Sequence, residues 1–426
     1  MSTLKSAAGQ TFRSLRIRNY KLYFVGQLVS TCGTWMQSVA QSWLVFNITG
    51  SNAAVGVTLA LQFTPILLGG AWSGVLADRI DKRKLLIGTQ SAAGVLAAVL
   101  GLIVSLHVVQ LWHIYLLAFA FGMVTALDNP ARRALSVEMV GKEHVSNAVS
   151  LSGAMFTGAR VIGPAIAGVL IAGAGIAWCF YANAISYIAA ISAFMLMRPA
   201  EFHSPERIPR RKGQLKEGLQ YVWRTPELRV PLLMVAVIGT LSYNFQTVLP
   251  GLAKLTFHGT PWTFGLMYSL MSVGSVVGAL FVAHRMYATR RVLVASAGAF
   301  GVALLAAAAA PNLPLEIFLL MLVGGSGIMF VSTANGLLQM HADPQMQGRV
   351  MALYSVAFLG STAIGGPIVG WINDLFNPRA GLALGGVAAL GTALVIVAGL
   401  RIRSRAGTAP EAAPEAVPDA VPVPAA

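Results

Sequence analysis

Charge is scarce in this chain: Asp, Glu, Lys and Arg together make up 11% of its 426 residues. Apolar residues make up 56%, and the mean hydropathy is +0.69. A water-soluble fold of this length has too little interior to hide so much apolar surface, so lipid must be part of the solvent. Acids are scarcest, 15 against 30 basic residues. They form no ladder of buried carboxyls, and no His, Cys, Asp and Glu cluster has metal-ligand spacing, so neither a metal nor a cofactor is expected. Nucleotide-binding loops and nucleophile elbows are also lacking, which argues against an enzyme. Cysteine is down to Cys32 and Cys179, far apart and each inside an apolar run. Both read as reduced core residues without a disulfide framework. The formal charge of +15 would suit nucleic acid if it were gathered on one domain. It is instead scattered between apolar runs, a pattern that fits an anionic membrane leaflet, so no nucleic-acid partner is expected.

What is abundant is apolar sequence in long stretches. Twelve runs are long enough to cross about 30 Å of hydrocarbon: 20–46, 53–77, 85–106, 111–128, 146–174, 177–197, 229–251, 262–284, 291–310, 314–338, 349–373 and 380–400. The first is too long for a signal-peptide core and follows Lys5, Arg13, Arg16 and Arg18, so it is expected to be its own insertion signal. Of the 30 basic residues, 27 fall on one side of this layout, with Lys254 and Arg379 opposite and Arg160 inside a run. That bias places the basic loops and both termini in the cytoplasm of a multi-pass inner-membrane protein. A reporter fused after Arg405 is therefore expected to be active only in the cytoplasm; activity on the opposite side would overturn the helix count.

The layout divides into an arm (1–19), a six-helix bundle (20–197), a linker (198–228), a second six-helix bundle (229–400) and a Pro-rich, disordered tail (401–426). In the linker, Leu215, Leu219 and Val222 share one face of an expected helix over 214–224 along the cytoplasmic interface. The halves echo one another, with Gly163-Pro164 in the fifth run and Gly366-Pro367 in the eleventh, 203 residues apart.

Three groups of polar residues stand out inside the runs. Gln27, Ser30, Thr34, Gln37 and Gln41 recur at steps of three and four, one stripe of the first helix. Lipid would not tolerate it, so it faces protein or water, either as interhelical glue or as the wall of a substrate cavity. Trp35, Trp43, Tyr243, Asn244 and Gln246 would extend such a wall. Arg160, the one basic residue deep in a run, costs at least a few kcal/mol there and needs a partner, water or an anionic ligand. His107, His113 and His258 fall near the outer surface and read as solvated.

The loop Gly74-Val-Leu-Ala-Asp78-Arg79-Ile-Asp81-Lys82-Arg83-Lys84 after the second run resembles the signature loop of the major facilitator superfamily. Asp81 stands where that family usually has Gly, so the turn is expected to fall on a residue that tolerates left-handed dihedrals less readily. Gly158-Ala-Arg160-Val-Ile-Gly163-Pro164-Ala-Ile-Ala-Gly168 looks like the superfamily's antiporter motif, whose glycines and proline let a neighbouring helix approach. Ala167 departs from it, since the family commonly has another Gly there. Gln347-Gly348-Arg349, Asn19-Tyr20, Asn47-Ile-Thr-Gly50-Ser51 and Gln220-Tyr-Val-Trp223-Arg-Thr-Pro226 resemble the siderophore- and drug-exporter branch. The resemblance implies two pseudo-symmetric six-helix bundles, alternating access, and efflux of a small organic molecule against protons by a monomer. It also implies a latch in which Asp128, at the end of the fourth helix, pairs with Lys82, while Asp78 faces the eleventh helix. The corresponding place in the second half holds Asn335, which would leave the latch lopsided. A metabolite importer of the same fold, or a membrane scaffold or sensor that transports nothing, remains open at this point.

Overall fold

A computed structural model describes residues 13–203, 214–285 and 288–406; the side chains of 70–78, 142, 214–216, 285 and 399–406 are outside it, so the expectations for Gly74 and Asp78 fall outside the described residues. Each apolar run forms a helix, because in lipid the only way to satisfy a lone segment's backbone is within the segment. They are α1 (Arg18–Thr49), α2 (Asn52–Arg79), α3 (Lys82–Ser105), α4 (Leu111–Val140), α5 (Val145–Gly173) and α6 (Ala177–Met195). In the second half follow α7 (Pro226–Ser242, resuming over Phe245–Gly251), α8 (Pro261–Arg285), α9 (Arg290–Ala308), α10 (Leu313–His341), α11 (Gln347–Ser355, resuming over Ser361–Leu375) and α12 (Pro378–Ala406). An amphipathic linker helix, Gln214–Arg224, lies between the halves in sequence. Among the described residues there are no strands.

Eleven of these helices are long and apolar enough to cross a membrane by themselves. The exception is α1, the longest at 32 residues. Its polar stripe dilutes its hydropathy, and its cost in lipid is removed because Gln27, Ser30, Gln37 and Gln41 are all buried against protein.

The chain makes six passes, crosses the linker and makes six more. All loops on one face, here the basic face, connect α2–α3, α4–α5, α6–α7, α8–α9 and α10–α11; the other loops define the far face. Within each half, α1 packs on α5 and α6, α2 on α4, and α3 on α4 and α6; their counterparts α9 on α12 and α8 on α10 repeat the pattern. Between the halves, α2 crosses α11 and α5 crosses α8. Glycine lets these backbones approach. A Cβ on Gly366 would sit 2.9 Å from the Gly56 carbonyl oxygen, and one on Gly265 would be 2.5 Å from that of Pro164.

Three expectations about the basic face need correcting. First, α4 does not end at Asp128: it continues through Pro130 to Val140, three more turns, so Asp128 is buried within the helix. Proline there loses a backbone bond, but neighbouring helices and polar side chains compensate for it in a bundle. Second, Asp81 is not left-handed. Its φ is −56°, and its carboxylate caps α3 by accepting from the Lys84 amide at 2.8 Å. Third, Lys82 does not pair with Asp128; its ammonium meets Glu138 in the last turn of α4 at 2.7 Å. Arg83 donates to the terminal carbonyls of α6, Phe194 at 2.6 Å and Met195 at 2.8 Å, while Arg79 is exposed. Lys82 and Arg83 thus brace α3 to α4 and α6 inside the first half.

Candidate functional site

The stripe of α1 turns into its own half. Gln27 accepts from Arg132 of α4, and the Ser30 hydroxyl donates to Gln90 of α3 at 3.3 Å. Thr34 meets the Tyr187 hydroxyl of α6 at 3.3 Å, and Gln37 accepts from Asn183 at 2.6 Å. In this conformation those side chains are interhelical braces, not a cavity wall. Gln27 and, through Gln90, Ser30 lead to a largely buried ion pair that the sequence did not reveal. Asp128 accepts from Thr89 and Gln90, each at 2.8 Å, and from Arg132 one turn on. Arg132, which the sequence layout counts with the basic loop after the fourth run, thus stands inside α4 as a partly buried guanidinium.

The residues of α1 that face the other half lie one step around the helix, at Trp35, Ser38 and Trp43. Ser38 accepts from Gln246 of α7 at 2.7 Å, and Trp43 stacks on Phe264 of α8 with centroids 6.2 Å apart. Ser38 was legible only as Trp35 plus three, on the same face. Tyr268 of α8, which no motif or spacing in the sequence marks, completes the surroundings of Arg160.

Arg160 sits at the seam between α5 and α8. Its guanidinium carbon lies 5.2 Å from the Trp35 ring centroid and 5.7 Å from that of Tyr268, within cation–π range. Phe156 stands edge-on to Trp35 at 5.6 Å. Nη2 lies 3.5 Å from the Tyr268 hydroxyl, a weak contact, and Nε is buried without a hydrogen-bond partner. Among the described residues no carboxylate comes within ion-pair distance of it. The Ser269 hydroxyl donates to the Val161 carbonyl at 2.9 Å, fixing α8 beside Arg160. The result is a half-buried cation with an aromatic surround and one unused donor, chemically able to pair with an anion.

Helix α7 breaks at Tyr243 and Asn244, where the backbone leaves helical dihedrals before resuming at Phe245. The Tyr243 hydroxyl donates to the Gly327 carbonyl of α10 at 2.5 Å, and its ring packs on Phe300 and Phe358. Asn244 is buried with its side-chain oxygen unpartnered. In α11 a π-helical segment, Val356–Gly360, interrupts the α-helix next to this cluster. Interrupted helices near the middle of a bundle place free backbone groups where a solute can use them.

The glycines of α5 divide. A Cβ on Gly163 would meet Trp35 Cβ at 2.7 Å and the Cys32 carbonyl at 2.8 Å, and one on Gly168 would be 2.9 Å from Trp262. Around Gly158 nothing lies within 4 Å. Gly163→Ala is therefore expected to lower stability by about 1–3 kcal/mol by overpacking. Gly158→Ala should be neutral or slightly stabilising, since Ala is the better helix former. Thermal unfolding of the two purified variants checks this, and equal losses would contradict it.

Two six-helix halves, crossing through α2–α11 and α5–α8 with broken helices at the seam, are the architecture of a major facilitator transporter. The family model described as "Transmembrane secretion effector" matches residues 9–423, and the chain belongs to that family of the major facilitator superfamily, whose members are transporters and not enzymes. It is 25% identical over 371 residues to the enterobactin exporter EntS of Citrobacter koseri, covering 86% of this chain and 88% of that protein. It is 24% identical over 264 residues to the staphyloferrin A transporter of Staphylococcus aureus, covering 61% of this chain and 66% of that one, just under two thirds. Among solved structures, a bacterial homologue of the human lysosomal transporter Spinster, inward-facing and unoccupied, aligns with a TM-score of 0.69 at 13% identity. The alignment covers 91% of this chain and 97% of that one. The nucleoside transporter NupG aligns with a TM-score of 0.70 at 10% identity, covering 91% and 99%. These two establish the fold alone.

Proposed function

We propose that the chain exports a small organic anion from the cytoplasm by alternating access, driven by proton influx, with Arg160 as the anchor for the anion. The observation that carries this reading is the guanidinium at the seam with no carboxylate partner among the described residues. A substrate carboxylate or phenolate would supply the missing charge and use the free donor. Trp35, Phe156 and Tyr268 would pack the apolar or aromatic body of the same molecule. The names of the relatives, an enterobactin exporter and a staphyloferrin A transporter, support a siderophore-like solute, and the first of them supports outward direction.

The basic face is assigned to the cytoplasm because 27 of 30 basic residues fall there. All hydrogen bonds and ring contacts between the halves among the described residues lie at the level of Arg160 or toward the far face. With that assignment the described conformation is closed outside, while on the basic face Lys82, Arg83 and Asp128 are all bonded within the first half. The test is uptake of a panel of anionic and neutral compounds into inverted vesicles with and without a pH gradient. Accumulation of an anion only when the lumen is acidic supports export against protons. Uptake of neutral solutes alone, or no dependence on the gradient, would refute this reading.

A further inference from the structure

Outside the Arg160 site, the densest polar contact between the two halves is at the far face, and it is built on one carboxylate. Asp374, in the last turn of α11, accepts from the Ser51 hydroxyl at 2.5 Å, the Asn52 amide at 2.7 Å, the Asn52 side-chain nitrogen at 3.1 Å and the Ala53 amide at 3.0 Å. Two of these donors are among the first amides of α2, which have no partner inside their own helix. An acid from the carboxyl-terminal half thus caps a helix of the amino-terminal half, with the helix dipole favouring its charge. From this geometry we infer that Asp374 is the far-face gate latch of the transport cycle: it holds α2 and α11 together while the basic side is open and releases when the far face opens.

Three observations favour a latch over a permanent strut. The first is that α2 carries a second cap of its own. Ser51 Oγ already accepts from the Ala54 amide at 3.1 Å while donating to Asp374. When Asp374 withdraws, Ser51 still caps the helix, so opening removes an anion without orphaning the helix end. Both positions of α11 are thus tolerable for α2, which is what a two-state element needs. The second is that Asp374 is exposed and faces a groove of about 560 Å³ lined by Gly50, Ser51 and Asn52, so water can take over its hydrogen bonds. Among the described residues no Lys or Arg pairs with it, which leaves its charge committed to the α2 terminus. The third is that the backbones meet through small residues. A Cβ on Gly370 would lie 2.7 Å from the Ala53 Cα and would also meet the Asn52 carbonyl. Such a contact is made by the approach of two flat surfaces and breaks without dragging interlocked side chains past one another.

The inference concerns the conformational equilibrium and does not depend on which solute is carried, so it is tested without substrate. Asp374→Ala and Asp374→Asn are made in a Cys32→Ser, Cys179→Ser background, reconstituted in nanodiscs, and spin-labelled at far-face positions Val108 and Leu315. Ile80 and Met340 serve as the basic-face pair. Pulsed dipolar spectroscopy is expected to show the far-face distance lengthening and the basic-face distance shortening in Asp374→Ala. The population ratio should shift by about 2- to 30-fold, the range that loss of an N-cap spans. Asp374→Asn, which keeps an acceptor and loses the charge, should fall between. Unchanged distributions in both variants would overturn the latch. So would a lowered melting temperature with unchanged distances, because that is the signature of a strut. If Asp374→Ala does not fold, the asparagine variant decides by the same criterion.

Discussion

Arg160→Ala is expected to insert and fold but to lose transport by roughly 30-fold or more, the loss that follows truncation of one partner of a desolvated charged contact. The structure makes folding tolerant of the change, since no carboxylate among the described residues would be left behind and Trp35 and Tyr268 retain each other at 6.0 Å. Arg160→Lys separates the roles of charge and shape. Lysine keeps the cation but offers a point charge in place of a planar fork, and it stacks less well between two aromatic rings. If the guanidinium holds a substrate anion, efflux by the lysine variant should drop by about one order of magnitude, with an altered pH profile. If it only fills space between Trp35 and Tyr268, the long aliphatic stem of lysine should serve almost as well. The deciding measurement is efflux in inverted vesicles across pH at matched expression. Wild-type rates for the lysine variant at every pH would sink the anchor assignment.

The positions of the helices were legible because hydrocarbon thickness and backbone satisfaction leave few alternatives to a run of about 20 apolar residues. The internal echo of Gly163-Pro164 at Gly366-Pro367 gave the two halves. What one sequence could not tell was which way a polar stripe turns. Gln27, Ser30, Thr34 and Gln37 do lie on one face of α1, as their spacing requires, but that face meets α3, α4 and α6. Buried amides satisfy one another as readily as they would a solute, so periodicity cannot separate the two. The partner of Lys82 was hidden by Pro130. A proline just after Asp128 reads as a helix end, and ending α4 there removes Glu138 from consideration. Asp374 stands one residue beyond the eleventh apolar run, where an acid in sequence is indistinguishable from ordinary surface. Only the crossing of α2 and α11 brings it to Ser51, 323 residues away in sequence.

The second large effect is expected at the buried pair in the first half, and it is on stability. Asp128→Ala would leave Arg132 with Gln27 as its side-chain partner and no counter-charge, next to an Nε that already lacks one. Breaking a buried pair from one side costs about 3–5 kcal/mol, because the surviving charge stays desolvated. Thr89 and Gln90 would lose their shared acceptor as well. Asp128→Asn should be milder, since its carbonyl oxygen can still accept from both. The double change Asp128→Leu with Arg132→Met removes both charges and restores volume, so it should recover much of the loss. A double-mutant cycle on thermal unfolding in detergent, followed by tryptophan fluorescence, measures the coupling. The pair has few substitutes: it joins α1, α3 and α4 at one point, through Gln27 and Ser30 on one side and Thr89 and Gln90 on the other. A loss below about 1 kcal/mol for Asp128→Ala would mean that water reaches Arg132 from the basic face, since only solvation could then replace the missing carboxylate.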